Sequence, residues 1–233
     1  MNNKGVVYIA FNTYVNESIF SAKSVKRKCK NLSTSIFTNI NVSNKYFDNV
    51  NIVNPVGKRN KCDFLHNTPY CNTLYLDSDI KVQYNIIDIY MILDKFDIAL
   101  VHDFSRKSNK WSRILKEYKK IPYCFSEFGG GVVLFKKSNK MERFFKLWKH
   151  LYYEYKKEFG VIADQPSLRV ALWNSDLRIH TLPIEYNVRN QECRDKWNKR
   201  VKTGEEDRDF LKPRILHSRG LNSKKHKIKM YKF

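Results

Sequence analysis

Two aspartates, Asp77 and Asp79, directly follow the apolar segment TLYL (73–76) and are separated by Ser78. The apolar segment predicts a buried strand, and the carboxyl end of a strand in an open α/β sheet is where ligands bind. Two carboxylates there can coordinate a hard divalent ion, Mg²⁺ or Mn²⁺, because such ions prefer oxygen ligands. The ion would serve as a Lewis acid for a diphosphate leaving group.

The D-x-D spacing alone is weakly specific, and a second example at 207–209 lies in a charged run that we interpret as solvated surface. Asp77 and Asp79 differ from it because an apolar strand precedes them. A phosphatase of the haloacid dehalogenase type would need Thr or Val where Lys81 stands. A P-loop NTPase is excluded because the chain has no G-x-x-x-x-G-K-[ST] segment.

The elements that must position these residues alternate along the chain. The predicted strands are apolar runs at 5–11, 34–38, 49–53, 73–76 and 97–103, with a glycine-led run at 126–138. The predicted helices lie after Asn16 as N-cap and at 60–68, 86–96, 139–160 and 163–173. This alternation predicts an α/β domain with a mostly parallel central sheet and flanking helices.

The longest predicted helix, 139–160, carries apolar residues at helical spacing. They are Phe144, Phe145, Trp148, Leu151, Tyr152 and Tyr155. Such a stripe favours a helix that packs against a core over one that lies in a membrane surface.

The composition is that of a folded and strongly basic protein. With 42% hydrophobic residues the 233-residue chain can bury one sizeable core, so we expect a single domain at 1–220 and a basic tail at 221–233. The 44 Lys and Arg residues against 23 Asp and Glu residues give a net charge of +21. This excess favours nucleotides, nucleic acid or an anionic membrane as partners, although most lysines are expected to form solvated surface.

Five cysteines without a C-x-x-C pair argue against a disulfide framework and against a zinc ribbon. The N-terminal apolar run is too short for a signal peptide, and no stretch approaches the roughly 18 apolar residues of a membrane span. We therefore expect a cytoplasmic protein whose basic tail could contact an anionic membrane peripherally.

Six segments together resemble the GT-A fold glycosyltransferases, and among them the family 8 type with its small viral and bacterial relatives. The segments are YIAFNTYV (8–15), TLYLDSDI (73–80), FGGGVVLF (128–135), ADQPSL (163–168), LPIEYNV (182–188) and ILHSRG (215–220). Each is weak evidence alone, but they occur in the expected order over residues 5 to about 224. The resemblance implies the Rossmann-like GT-A fold of nucleotide-diphospho-sugar transferases.

The resemblance also implies roles for particular residues. Asp77, Asp79 and His217 would bind Mn²⁺ or Mg²⁺, and Asp164 and Gln165 would lie near the anomeric carbon as the catalytic pair. The residues implied to contact the donor nucleotide or its sugar are Asn12, Thr13, Tyr14, Arg59, Lys61, Asp77, Ser78, Asp103, Gly130, Gly131, Gly220 and Lys224.

These roles agree with the chemistry of glycosyl transfer. A cation beside the leaving diphosphate neutralises its charge, and Arg59 or Lys61 could supply one. The transition state at the sugar has oxocarbenium character, which a carboxylate or amide oxygen of Asp164 or Gln165 could stabilise. Asp103 could bind sugar hydroxyls.

The sequence departs from the family pattern in two places. Gly129, Gly130 and Gly131 stand where the family usually has N-[AS]-G, so one polar contact to the sugar is missing or supplied elsewhere. In the late H-x-x-G-x-x-K motif Ser223 takes the place of the lysine, and Lys224 follows one residue later.

The sequence therefore predicts a metal-dependent glycosyltransferase that uses a nucleotide-sugar, with a UDP-sugar as the expected donor and a glycan or other hydroxyl compound as acceptor. By analogy with family 8 we expect a retaining enzyme. The alternatives are a basic nucleic-acid-binding protein, against which the lack of a recognisable motif argues, and a nucleotidyltransferase or phosphatase on a related sheet. We do not expect a nucleic-acid partner.

Overall fold

The computed structural model describes residues 3–57, 60–103, 109–189 and 212–217. The strands are β1 (Lys4–Ile9), β2 (Ser33–Thr38), β3 (Asn49–Ile52), β4 (Asn72–Leu76), β5 (Ile80–Val82), β6 (Ile98–His102), β7 (Phe128–Lys136), β8 (Ile179–Leu182) and β9 (Ile215–His217). Seven of them form a sheet in the order β3-β2-β1-β4-β7-β6-β8, and β5 and β9 form a two-stranded sheet. The helices are α1 (Tyr14–Lys28), α2 (Lys61–Phe64), α3 (Asn109–Ile114), α4 (Lys116–Lys120), α5 (Asn139–Phe159) and α6 (Gln165–Trp173), with 3-10 helices at Leu65–Asn67, Ile87–Asp94 and Ile184–Tyr186.

The large sheet is mostly parallel, which confirms the predicted fold class. β1 pairs in parallel with β2 and β4, β2 with β3, and β6 with β8. β7 alone runs antiparallel, between β4 and β6. The carboxyl ends of β1, β4 and β6 therefore meet the first residues of β7 at one edge of the sheet.

Alternating residues of the central strands supply two apolar clusters. Leu74 and Leu76 of β4 belong to one cluster, whereas Tyr75 between them belongs to the other. Val132 and Val133 of β7 divide in the same way, because successive side chains of a strand point to opposite faces. α1 packs into the first cluster and α5 and α6 into the second, so the sheet is covered on both faces.

Helix α5 packs its apolar stripe into the core, as predicted. All six residues of the predicted stripe are buried. The Met141 N–H donates to the Ser138 hydroxyl at the N-terminus, and Gly160, with a φ of 63°, ends the helix in the left-handed conformation that glycine adopts readily. Across the described residues we find no helix with the length and apolar character needed to span a bilayer. The cysteines in these ranges, Cys29, Cys62, Cys71 and Cys124, are free thiols.

Two local predictions were wrong in detail, and a third was confirmed with its helical segment divided in two. α1 begins at Tyr14 with Thr13 as N-cap, not after Asn16, because the turn after β1 already makes i→i−3 hydrogen bonds from the N–H groups at 14 and 15. The helix predicted at 86–96 is a 3-10 helix, whose three-residue turn buries Tyr90 and Leu93 on one side. The helix predicted at 60–68 is α2 followed by a 3-10 turn.

Candidate active site

Strand β4 carries the acidic pair to the carboxyl edge of the sheet. Asp77 directly follows β4, and its backbone N–H donates to the carbonyl of Gly131 on β7 across 2.9 Å. Asp77 is therefore held against the glycine run by the same pairing that aligns β4 with β7. Ser78 lies partly exposed in the turn between Asp77 and Asp79.

The small sheet brings His217 to the acidic pair. β5 and β9 pair antiparallel with Ile80 opposite His217. The imidazole Nε2 lies 3.1 Å from Asp79 Oδ1 and 3.7 Å from Asp77 Oδ2. One ligand atom from each of these three residues lies within 4.8 Å of the others. The structure thus brings together the three residues that the sequence resemblance implied as metal ligands.

The donor set fits a divalent metal ion. Carboxylate oxygens suit Mg²⁺ and Mn²⁺, and an added imidazole nitrogen favours a transition-metal ion such as Mn²⁺ over Mg²⁺. Gly131 leaves room beside these ligands, because a Cβ at this position would overlap the His217 ring and lie 2.9 Å from Asp77 Oδ2. Asp77, Asp79 and His217 are the residues that would hold the ion.

The two carboxylates of the candidate metal site are held in their ionised form. Burial opposes ionisation of Asp77, but the charges of Lys61 and His217 and a 2.6 Å hydrogen bond from the Tyr75 hydroxyl outweigh it and lower the pKa of this carboxyl. Burial opposes ionisation of Asp79 as well, and its hydrogen bond and charge interaction with His217 again lower the pKa. Both carboxylates are therefore ready to bind a cation at neutral pH.

Lys61 links two carboxylates at the centre of the site. Its ammonium group lies 3.1 Å from Asp77 Oδ1 and 3.2 Å from Asp164 Oδ2. It also donates to the carbonyl of Gly130 across 2.8 Å. Lys61 is only 8% exposed, so bulk water screens these ion pairs weakly.

Helix α2, which begins with Lys61, is tied to α5 through Asp63. The Tyr153 hydroxyl lies 3.0 and 3.1 Å from the two oxygens of Asp63 and donates to this carboxylate. Lys149 Nζ lies 3.1 Å from Asp63 Oδ1. Because Asp63 is buried, this cross-link limits the movement of α2 and so positions Lys61.

The first residues of β7 form the floor of the site. A Cβ at Gly130 would lie 3.4 Å from both Asp164 Oδ2 and Lys61 Nζ. A Cβ at Gly129 would lie 3.1 Å from the Asn187 amide nitrogen. The absence of side chains here lets the charged groups approach the strand backbone closely.

Asp103 follows β6 at the side of the site. It is buried, and its backbone N–H donates to the Glu127 carbonyl across 2.7 Å. Arg189 Nη1 lies 4.0 Å from Asp103 Oδ2. Arg189 also contributes to the lowered pKa of Asp79, after the effects of burial and His217. The guanidinium charge of Arg189 therefore acts on both Asp103 and Asp79.

Helix α6 begins at the site with Asp164 as N-cap and Gln165 as its first residue, both buried. The carboxylate of Glu127 lies beside Gln165, whose amide acts to lower its pKa. This carboxylate accepts a 2.7 Å hydrogen bond from the Tyr118 hydroxyl and lies 3.2 Å from Arg169 Nε. Burial raises the pKa of Glu127, and the hydroxyl and the guanidinium offset this effect only in part.

Asn12, Thr13 and Tyr14 lie exposed in the turn between β1 and α1. Asn12 has a φ of 54°. Its backbone N–H donates to Asn39 Oδ1 across 3.2 Å, and its side-chain oxygen accepts a hydrogen bond from Asn39 Nδ2 across 3.0 Å. Tyr14 is 63% exposed. Since β1 is parallel to β4, this turn lies at the same sheet edge as Asp77.

Three residues implied for the donor site, Arg59, Gly220 and Lys224, lie outside the described residues, as does the tail 221–233.

Sequence reasoning did not single out four residues that line or support the site: Tyr75, Glu127, Asn187 and Arg189. Asn187 belonged to the LPIEYNV segment, which was a usable signal. No signal in the sequence pointed to Glu127, because a glutamate is expected at the surface and this one is fully buried.

Comparison with solved structures shows what this fold is similar to. The glycosyltransferase GlyE of Streptococcus pneumoniae TIGR4 matches with a TM-score of 0.63 and 16% identity, over 92% of this chain and 54% of that chain. The galactosyltransferase LgtC, in complex with donor and acceptor sugar analogs, matches with a TM-score of 0.57 and 14% identity, over 93% of this chain and 87% of the LgtC chain. Mouse xyloside xylosyltransferase 1 matches with a TM-score of 0.58 and 11% identity, over 92% of this chain and 97% of the mouse chain.

No protein-family model matches the sequence, and no curated protein matches it significantly. The chain spans about half the length of the GlyE chain. The structural likeness, at identities below 20%, establishes the fold. The predicted resemblance to GT-A glycosyltransferases is therefore confirmed at the level of the fold.

Proposed function

We propose that the protein is a metal-dependent glycosyltransferase that moves a sugar from a UDP-sugar to a hydroxyl group of a glycan or similar acceptor, with retention of anomeric configuration. The observation that carries this proposal is the cluster of Asp77, Asp79 and His217 at the carboxyl edge of a GT-A sheet. The three solved structures named above, to which the fold of this protein is similar, are all sugar transferases.

The residues around this cluster suit the departure of a diphosphate. In glycosyl transfer the bond from the anomeric carbon to the diphosphate oxygen breaks and its electron pair stays on the diphosphate. The acceptor oxygen bonds to the carbon and gives up its proton to a basic oxygen. A divalent ion, when bound, supplies Lewis-acid stabilisation of the leaving group. Lys61, which now faces two carboxylates, supplies a second positive charge close to that position.

The opposite side of the site suits the sugar. Asp103 and Asp164 offer carboxylate oxygens that can accept hydrogen bonds from sugar hydroxyls. Gln165 offers an amide oxygen that can face the positive charge developing at the anomeric carbon. A glutamine is also an active-site residue of LgtC, for which a glutamine-to-glutamate active-site mutant has been solved.

The turn between β1 and α1 suits the nucleoside. Tyr14 presents an exposed ring, and base stacking on an aromatic side chain contributes about 1–3 kcal/mol. Asn12 and Thr13 offer polar groups beside it. We place the catalytic unit at 1–220 and expect the basic tail 221–233 to contact anionic lipid near the acceptor.

The decisive experiment is calorimetric titration of UDP into the protein with and without Mn²⁺. We expect binding that requires the ion and that is lost in Asp79→Ala. Asp176→Ala is the matched control, since Asp176 is exposed and pairs only with surface groups, Arg143 and Lys140, in the described part of the chain. UDP binding that is independent of metal, or no binding of UDP, would remove the proposal.

A screen of UDP-sugars then identifies the donor by release of UDP. Release of pyrophosphate or inorganic phosphate instead would favour the nucleotidyltransferase or phosphatase alternative.

A further inference from the structure

Asn187 lies behind His217, on the side of the imidazole ring away from the acidic pair. Its Oδ1 lies 2.8 Å from His217 Nδ1, whereas Nε2 of the same ring lies 3.1 Å from Asp79 Oδ1. Asn187 is 5% exposed and His217 is 1% exposed. The two ring nitrogens thus have separate partners, and water has little access to either.

The other end of the amide supports this orientation. The Asn187 Nδ2 lies 3.1 Å from the Cβ position of Gly129, and Asp103 Oδ2 lies 3.7 Å from the same position. An amide NH₂ group donates and a carboxylate only accepts, so the amino end belongs on the Asp103 side. The amide oxygen is then the end that faces His217.

The backbone keeps Asn187 in place independently of its side chain. The N–H of Val188 donates to the Ile215 carbonyl across 2.9 Å, and the N–H of His217 donates to the Val188 carbonyl across 3.0 Å. The N–H of Asn187 itself donates to the Ile184 carbonyl across 2.9 Å. A substitution at 187 therefore removes the side-chain contact while leaving the strand pairing that positions His217.

A metal-bound imidazole needs a hydrogen-bond acceptor for its second ring nitrogen, and this contact can provide one. When Nε2 binds a metal ion, the neutral ring must carry its one proton on Nδ1. A buried N–H without an acceptor carries a large desolvation penalty. In metal sites the partner of the second ring nitrogen fixes the ring orientation, and its loss typically lowers metal affinity 10–100-fold.

We propose that Asn187 is a positioning residue for metal binding: its Oδ1 accepts the Nδ1 proton of His217 and so directs Nε2 to the ion. This inference deepens the proposed function, on which it rests for the identity of the metal site. Asn187 also lies next to Gly129, where the family pattern has an asparagine, so this chain supplies an amide at that position from another segment.

The test measures Mn²⁺ affinity without any nucleotide, by calorimetry or by electron paramagnetic resonance of the free ion. Asn187→Leu has a similar volume and no acceptor, and we expect a 10–100-fold weaker affinity. Asn187→Asp keeps an acceptor oxygen behind the His217 ring and adds a negative charge there. We expect it to bind Mn²⁺ at least as tightly as the natural protein.

The control is Asn51→Leu on β3, where the asparagine donates to the Ile36 carbonyl away from the site. Thermal melting in EDTA checks the fold of each variant. Equal Mn²⁺ affinity in all variants, or equal losses in Asn187→Leu and Asn187→Asp, would overturn the inference, as would the absence of Mn²⁺ binding to the natural protein. Mn²⁺ binding that follows the expected order without any UDP binding would support the inference and remove only the proposed function.

Discussion

The carboxyl groups at the two ends of the site have pKa values that are shifted in opposite directions. At the metal end, Asp77 and Asp79 have a lowered pKa and remain ionised. At the α6 end, Glu127 has a raised pKa, although Arg169 lies as close to it as Lys61 lies to Asp77, at 3.2 and 3.1 Å.

The difference shows that a nearby cation does not by itself decide the state of a buried acid. Burial opposes ionisation of both carboxyls, but Asp77 has two cationic neighbours, Lys61 and His217, that outweigh it, whereas Glu127 has Arg169 and also the opposing charge of Asp103. Arg169 also divides its guanidinium among the carbonyls of Pro122 and Phe125. The metal end is thus suited to bind cations, and the α6 end is a packed support for Gln165.

The largest expected effect comes from Lys61→Met, because Lys61 pairs with carboxylates of both ends. The change leaves Asp77 and Asp164 without this buried partner, and we expect the free energy of unfolding to fall by about 3–5 kcal/mol. Urea unfolding in EDTA measures it. Lys140→Met, at an exposed lysine 3.6 Å from Asp176, is the control. A loss no greater than that of the control would show that the two ends are not joined through Lys61.

Arg169→Met should disturb the α6 end alone. We expect a loss of about 2–3 kcal/mol of unfolding free energy, smaller than for Lys61→Met, because Glu127 can take up a proton and still keep the Tyr118 hydroxyl. Mn²⁺ affinity should stay within about twofold of the natural protein, since metal-ligand contacts are untouched. A tenfold change in Mn²⁺ affinity would show that the two ends are coupled.

Gly131→Ala should disturb the metal end alone. The added methyl group would overlap the His217 ring, and relieving such overlap costs about 1–3 kcal/mol, so we expect Mn²⁺ to bind at least about tenfold more weakly. The matched control is Gly57→Ala, where the new Cβ would lie an ordinary 3.6 Å from the Tyr153 hydroxyl. Unchanged Mn²⁺ affinity in Gly131→Ala would argue against an ion held beside this glycine.

The smallest effect is a pair of opposite pH trends in the stability of the fold. The pKa of Asp77 is lowered from 3.8, so its ionised form stabilises the fold above about pH 4, and this stability is lost as the pH falls through the folded-state pKa. The pKa of Glu127 is raised from 4.5, so its contribution is complete below about pH 4.5 and is lost as the pH rises.

Urea unfolding in EDTA between about pH 2 and pH 8 tests both trends. The cost of Asp77→Asn should grow as the pH rises to about 4 and then stay constant, whereas the cost of Glu127→Gln should shrink as the pH rises above about 4.5. Parallel trends in the two variants would mean that the pKa values of Asp77 and Glu127 are shifted in the same direction.

Local patterns in the sequence predicted much of the fold and pointed to the acidic pair of the candidate metal site. The alternation of apolar strands and helices and the α5 stripe reflect backbone periodicity, which neighbouring residues determine. The D-x-D pair after an apolar strand pointed to the sheet edge for the same reason. The helix type at Ile87–Asp94 and the start of α1 were missed, because their ends depend on hydrogen bonds in the adjoining turns.

The tertiary structure decided how distant residues meet at the site: the family resemblance implied His217, but not the strand pairing that places it there. Pairing of β5 with β9 places His217 beside Asp79, and the bridge of Val188 to Leu216 places Asn187 behind His217. The buried partners of Glu127 come from helices on either side of it in the sequence. These contacts, and the opposite pKa shifts that follow from them, depend on burial and on pairing between segments far apart in the chain, which no local spacing of residue types encodes.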